Sequence, residues 1–349
     1  MRFACWGLLG ATILALLGVR LDGGFFPGDL SAYLAAAETF GQGGNPYTTD
    51  LTESSHFAGY PYVYPPGTLY LIAPLRGLPP PVVAAGHLVV AGAILVWSVH
   101  RLDRRFELGL PLGPTLLFVL LFGPVTSDLM VGNLAVVLLG ATVACADLAD
   151  RDLDAPTAGA LTLLGVVYSF KVLWLAPALL WLVAARRWGH LAALAAGLLV
   201  VAGLSALHPA LVVDWFERVQ WVRGRFPDSL DLLSLAPWFY PVALVAWLVA
   251  AIRAVRHSPR AAWLTGCASL FAWPRLAPYS FVLALPPIAA ALRHLPPRRA
   301  LLLPLALWGP VYWALAMPAG SYFARWYHLL WAVVLAGITK ALQGNDPVS

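Results

Sequence analysis

The chain has 349 residues and a formal net charge of +5; 60% of it is hydrophobic, only 11% is charged, and its mean hydropathy is +0.76. Soluble domains carry about 25% charged residues, so this composition excludes an ordinary soluble domain and predicts an all-α, polytopic membrane protein. The basic excess, mostly arginine, sets topology in such a chain and gives no reason to expect nucleic acid as a partner.

At roughly 20 residues per crossing, there is room for about ten to twelve transmembrane helices in one bundle covering residues 1–349. The first runs from Phe3 to Val19. Arg2 before it imitates a signal peptide, but no small-residue cleavage site follows, so a retained helix is expected. A long polar stretch comes next, about residues 20–81. Further spans are expected at 82–99, 111–126, 131–147, 156–169, 172–185 and 190–207. The join between the third and fourth spans is placed at Thr126-Ser127-Asp128. A second polar stretch, about 208–234, precedes spans at 235–252, 261–272, 278–292, 300–317 and 326–340.

With the N-terminus inside, Arg186-Arg187, Arg253, Arg256, Arg260 and Arg298-Arg299 fall on the cytoplasmic side. That is the positive-inside pattern. It predicts a multi-pass cell-membrane protein with both termini cytoplasmic and both long polar stretches on the extracytoplasmic face. Cys5, Cys145 and Cys267 each lie in an apolar run with no metal-site spacing, and read as small core residues.

The first polar stretch cannot itself cross a membrane, and it collects Asp29, Glu38, Asp50 and Glu53. Leu30, Tyr33, Leu34, Ala37 and Phe40 recur at three- and four-residue steps, which predicts a short helix with one apolar face lying in the interface plane. Asp29 stands at its start. As an N-cap it would contribute about 1 kcal/mol. As a carboxylate at the membrane surface it would accept the proton of a hydroxyl nucleophile.

The order of motifs here resembles a known family. Phe26-Pro27-Gly28-Asp29, Tyr33, Ala35-Ala36 and Gly43-Gly44-Asn45-Pro46-Tyr47 come first. Tyr62-Val63-Tyr64-Pro65-Pro66-Gly67 and Ala73-Pro74 follow. Together they are similar to the opening of glycosyltransferase family 87, polyprenol-phosphate-mannose-dependent enzymes, mostly α-1,2-mannosyltransferases, with the GT-C membrane fold. Gly132-Asn133-Leu134 opening a helix, and Lys171 before a span ending in Arg186-Arg187-Trp188, extend the resemblance. Relatives often carry a Trp-x-His-type element in a late external loop; here the stretch is Trp273-Pro274-Arg275-Leu276-Ala277-Pro278-Tyr279.

The resemblance implies a hexose, mannose first, moved with inversion from a polyprenyl-phosphate donor to a lipid-anchored or periplasmic glycan acceptor. Asp29 would be the catalytic base. Fixed cations would meet the charge that develops on the departing phosphate, and Lys171, Arg275 and Arg325 are the candidates. Lys171 would otherwise snorkel to headgroups and Arg325 anchor a helix end. Tyr33, Asn45, Tyr47, Tyr64, Asn133, His208 and His328 are the candidate sugar or acceptor contacts. An aromatic belt accounts for Tyr47, Tyr60, Tyr62 and Tyr64 equally well.

Asp128 reads as a polar turn. Arg218, Arg223 and Arg225, among Trp215, Phe216, Trp221 and Phe226, read as an interfacial helix. His56, His208 and His328 are too scattered for a metal site, so neither metal nor cofactor is expected. Two other functions fit the composition. A lipid or sugar flippase would want inverted repeats and paired mid-membrane charges, which the sequence lacks. An enzyme of the same fold acting on another lipid-phosphate sugar, such as arabinofuranosyl, galactofuranosyl or glucosyl, would look the same in sequence.

Overall fold

The structure is a computed structural model and describes residues 28–48, 62–109, 111–121, 123–225, 240–269 and 278–294. The first predicted span and the last two lie outside these residues, as do Tyr60, His56, Arg275, Arg325 and His328. Among the described residues every regular element is helical. The helices are α1 (Gly28–Gly41), α2 (Pro80–Phe106), α3 (Leu112–Leu121), α4 (Gly123–Val131), α5 (Ala135–Ala149), α6 (Ala155–Tyr168), α7 (Ala176–Ala184), α8 (Trp188–Ala206), α9 (Pro209–Arg225), α10 (Tyr240–His257), α11 (Pro259–Cys267) and α12 (Leu285–His294).

Among the described residues α2, α8 and α10 are long and apolar enough to cross a membrane; α4 and α5 are so only together, and they are bent by 118° at the break between them. The other apolar helices are shorter. The bundle presents large aliphatic side chains outward, with Leu199 69% exposed, Val89 59% and Val245 58%. Hydrocarbon, not water, is the solvent that suits such a face.

Local chemistry sets the helix ends. Asp154 accepts from Thr157 N at 2.8 Å to open α6, with a proline in its first turn. Ser258 accepts from Ala261 N at 3.1 Å to open α11. Helix α2 runs past the expected stop at His100 because its basic end finds partners on α5. Arg101 Nε lies 2.6 Å from Asp147, and Arg105 bridges Asp147 and Asp150 at 3.2 and 3.1 Å. The Arg105 guanidinium also lies over the Trp181 ring, 4.4 Å from its centroid.

The join expected at Thr126-Ser127-Asp128 falls instead at Gly132-Asn133-Leu134, with Asp128 inside α4. Polar residues misled here, because the Asp128 side chain is used by the backbone of the next helix. The reversal is made by Gly132, whose φ of +70° suits glycine.

Two apolar clusters organise the molecule. The larger fills the bundle between α2, α5, α6, α7, α11 and the Pro278–Ala284 turn. The smaller gathers α1 with Tyr47, Tyr62, Tyr64, Leu69 and Ile72, and with Val83 and Ala84 of α2. Helix α1 forms where the periodicity places it. Its burial, however, runs unbroken from Leu30 to Ala37, wider than a single apolar face. The alanines there let the Leu69–Ile72 and Ala73–Gly77 turns and α4 approach closely. Gly67 makes the other close approach. A Cβ there would lie 2.1 Å from the Val201 carbonyl of α8, while Gly67 N donates to Ser205 Oγ at 2.8 Å.

Candidate active site

Three distant segments meet at Asn133. Its side-chain amide donates through Nδ2 to the Asp29 carboxylate of α1. Its Oδ1 accepts from Lys171 Nζ at 2.6 Å and from Leu134 N at 2.7 Å. Its main-chain carbonyl meets His87 Nε2 of α2 at 2.9 Å, and its N–H donates to Asp128 O at 3.2 Å. Asn133 is fully buried, and each of its polar atoms has a partner. Flipping the amide would aim its N–H donors at the Lys171 ammonium, so the orientation is fixed.

The turn that carries Asn133 is held by Asp128. Its two oxygens accept from Ala135 N and Val136 N, both at 2.9 Å. These are first-turn amides of α5, which have no partner within the helix. Asp128 is fully buried and ties the end of α4 to the start of α5. Sequence reading placed it in a turn and missed this role, because the cap reaches seven and eight residues along the chain and capping signals are sought next to the helix.

Lys171 stands between α6 and the 3-10 turn Val172–Leu175. Its N–H returns to Tyr168 O at 3.0 Å and its carbonyl accepts from Trp174 N at 2.9 Å. The half-buried side chain turns inward to Asn133. Burial pushes its ammonium below the ordinary lysine range, and the Asp29 and Asp128 carboxylates oppose this only in part.

Tyrosines build the wall behind the site. Tyr33 OH donates to Tyr64 OH at 2.7 Å, beside the Asn133 side chain. Tyr47 OH donates to Tyr64 O at 2.7 Å, and Tyr62 OH lies 2.5 Å from Thr68 Oγ1. The rings pack on one another: Tyr33 against Tyr64 at 5.2 Å between centroids, Tyr62 against Tyr64 at 5.5 Å, and Tyr47 against Tyr62 at 5.9 Å. Phe170, next to Lys171, closes on Tyr64 at 5.7 Å. All four tyrosines are buried. Burial pushes the Tyr47, Tyr62 and Tyr64 hydroxyls well above the usual phenol range. They stay neutral and act as hydrogen-bonding posts in a packed wall.

Of the sequence-derived candidates, the fold brings together Asp29, Asn133, Lys171, Tyr64 and Tyr33. Tyr47 and Asn45 stand behind them: Asn45 Oδ1 accepts from Tyr47 N at 3.0 Å, and Asn45 Nδ2 donates to Asp214 of α9 at 2.6 Å. His208 lies elsewhere, at the far end of α1. Its Nε2 is 2.6 Å from Tyr70 OH, and its ring lies edge-on to Phe40 at 5.7 Å. Arg275, Arg325 and His328 lie outside the described residues. The assembled group offers a carboxylate able to take a proton and an ammonium able to meet an anion, both fastened to one rigid amide.

A family model described as glycosyltransferase family 87 matches residues 62–285. The match includes Tyr64, Asn133, Lys171 and His208; Asp29, Tyr33, Asn45 and Tyr47 precede it. No curated protein and no solved structure matches the chain.

Proposed function

The chain belongs to glycosyltransferase family 87 and is a membrane glycosyltransferase, and from that premise we propose that it transfers a hexose, mannose by resemblance, from a polyprenyl-phosphate donor to a lipid-linked or cell-envelope hydroxyl. The observation that carries this reading is the meeting of Asp29 and Lys171, from two distant parts of the chain, on the single Asn133 side chain.

In this reading the Asp29 carboxylate takes the proton of the acceptor hydroxyl as that oxygen attacks the sugar's anomeric carbon. The bond from that carbon to the phosphate oxygen breaks on the opposite face, so the configuration inverts. The polyprenyl phosphate leaves with the electron pair, and the Lys171 ammonium stabilises the growing charge. Arg275 and Arg325 are proposed as further phosphate contacts, and His328 as an acceptor contact; His208, at the far end of α1, is left out of the site. The reaction as written uses no metal or cofactor.

Helix α5 supports the extracytoplasmic placement. Asn133 precedes its first turn, while Asp147, near its other end, pairs with Arg101 and Arg105. The positive-inside rule draws that basic end to the cytoplasm and puts Asn133 towards the opposite face.

The test is sugar transfer in isolated membranes, with polyprenyl-phosphate mannose and a mixed lipid acceptor extract. Wild type is compared with Asp29→Asn at matched expression. The expected result is a fall of about 10²- to 10⁴-fold in the variant. Equal rates would remove Asp29 as the base. Transfer from another lipid-phosphate sugar, and not from mannose, would keep the site and change the donor.

A further inference from the structure

Helix α9 reaches into the same wall with two consecutive residues. Asp214 accepts from Asn45 Nδ2 at 2.6 Å, and Trp215 Nε1 donates to Val63 O at 2.9 Å. On a helix, neighbours point about 100° apart, so the pair takes hold of two separate strands of chain. Each grip lands beside a residue of the site. Asn45 fixes Tyr47 through its N–H, and Tyr47 then donates to Tyr64 O. Val63 directly precedes Tyr64. The backbone at Tyr64 is therefore gripped on two successive carbonyls, one by Trp215 and one by Tyr47.

The rest of α9 follows the same division. Leu211 and Trp215 pack on the small cluster around α1, while Val213, Phe216 and Trp221 are exposed. His208, just before the helix, holds Tyr70. An interfacial helix anchored only by aromatics would use its exposed face; here the polar inward bonds select the segments that carry the candidate site.

We infer that Asp214 and Trp215 are positioning residues of the transfer reaction, and that α9 is a clasp setting the Tyr64 hydroxyl against Asn133. The inference rests on the transferase reading above. Neither residue touches Asp29 or Lys171 in the chain of bonds; they act through Asn45, Tyr47 and Val63. The Asp214–Asn45 bond is the stronger grip, since its acceptor is charged.

The experiment uses the full chain in lipid nanodiscs and two readouts, amide hydrogen exchange over Tyr62–Leu69 and steady-state transfer. Asp214→Ala is expected to speed exchange in that peptide, leave exchange in α2 and α5 as in wild type, and lower kcat by about tenfold or more, with KM for the lipid-phosphate donor little changed. Asp214→Asn keeps an acceptor for Asn45 but not its charge, and is expected to fall between Asp214→Ala and wild type on both readouts. Asn45→Ala also removes the bond to Tyr47 N, so it should be at least as slow as Asp214→Ala; adding Asp214→Ala to it should slow it no further, because Asp214 acts through Asn45.

Unchanged exchange in Asp214→Ala overturns the clasp. Faster exchange with an unchanged kcat overturns the positioning role. If wild type transfers no lipid-phosphate sugar while exchange in Asp214→Ala still rises, the transferase reading fails and the clasp survives, since exchange reads it without substrate.

Discussion

Lys171 Nζ donates to Asn133 Oδ1 at 2.6 Å, at one end of an amide whose other end is given to Asp29. The amide dipole is thereby aligned with both charges, its acceptor towards the cation and its donor towards the anion. A carboxylate and an ammonium, the proposed proton acceptor and phosphate partner, are held at a set separation by a group that does not titrate.

If Lys171 meets the donor phosphate as proposed, it should make the reaction sensitive to alkali. Burial holds its ammonium below the ordinary range. A lysine loses its charge as pH rises through its folded value, so kcat/KM should fall on the alkaline side, and at lower pH than an exposed lysine would give. Lys171→Arg keeps the cation and should move that limb to higher pH at some loss of kcat. Lys171→Met should cost about 10²- to 10³-fold. A pH profile of kcat/KM, which reports the free enzyme, checks all three. An alkaline limb unmoved by arginine would assign it to another group.

Asp128 should matter for stability more than for chemistry. Asp128→Ala leaves the amides of Ala135 and Val136 without their acceptor at a buried helix start. Each such loss costs about 1–3 kcal/mol. Asp128→Asn retains one carbonyl oxygen and should lie between the alanine variant and wild type. Thermal unfolding in detergent would show this order. Equal melting temperatures for wild type and Asp128→Ala would mean that the α4–α5 turn stands without its cap.

Gly67 tests the packing of the turn after Tyr64 on α8. Alanine there places a methyl group 2.1 Å from Val201 O and 2.8 Å from Ser205 Oγ. The turn must move away from α8, at a cost of about 1–3 kcal/mol. Adding Ser205→Ala should restore little, because the nearest atom is a backbone carbonyl. A wild-type melting temperature for Gly67→Ala would show that the contact has room to relax.

Much of this was legible in the sequence. Hydropathy placed most of the described helices, since a span declares itself by composition alone. Asp29, Asn133 and Lys171 were each visible as odd residues at helix starts or turns. Their meeting was not, because periodicity says which face a residue takes on its own helix and nothing about which helix faces it. The tyrosines read as a belt or a set of sugar platforms, yet Tyr33, Tyr47, Tyr62 and Tyr64 cover one another in a packed wall. Asp128 read as a polar turn and Asp214 drew no reading of its own, because their partners lie seven residues or more along the chain, Asn45 farthest of all.

The reach of the Asn133 contacts along the chain bears on biogenesis. Asp29 emerges from the ribosome long before the turn that carries Asn133, and Lys171 later still. Until α4 has reversed into α5, the Asp29 carboxylate lacks its amide; until α6 has been inserted, that amide lacks its cation. A chain halted before Lys171 would hold the carboxylate and the amide without the ammonium. Completion of the group is thus timed by synthesis of the chain, and under the proposed mechanism an unfinished chain would lack the cation that meets the donor's phosphate.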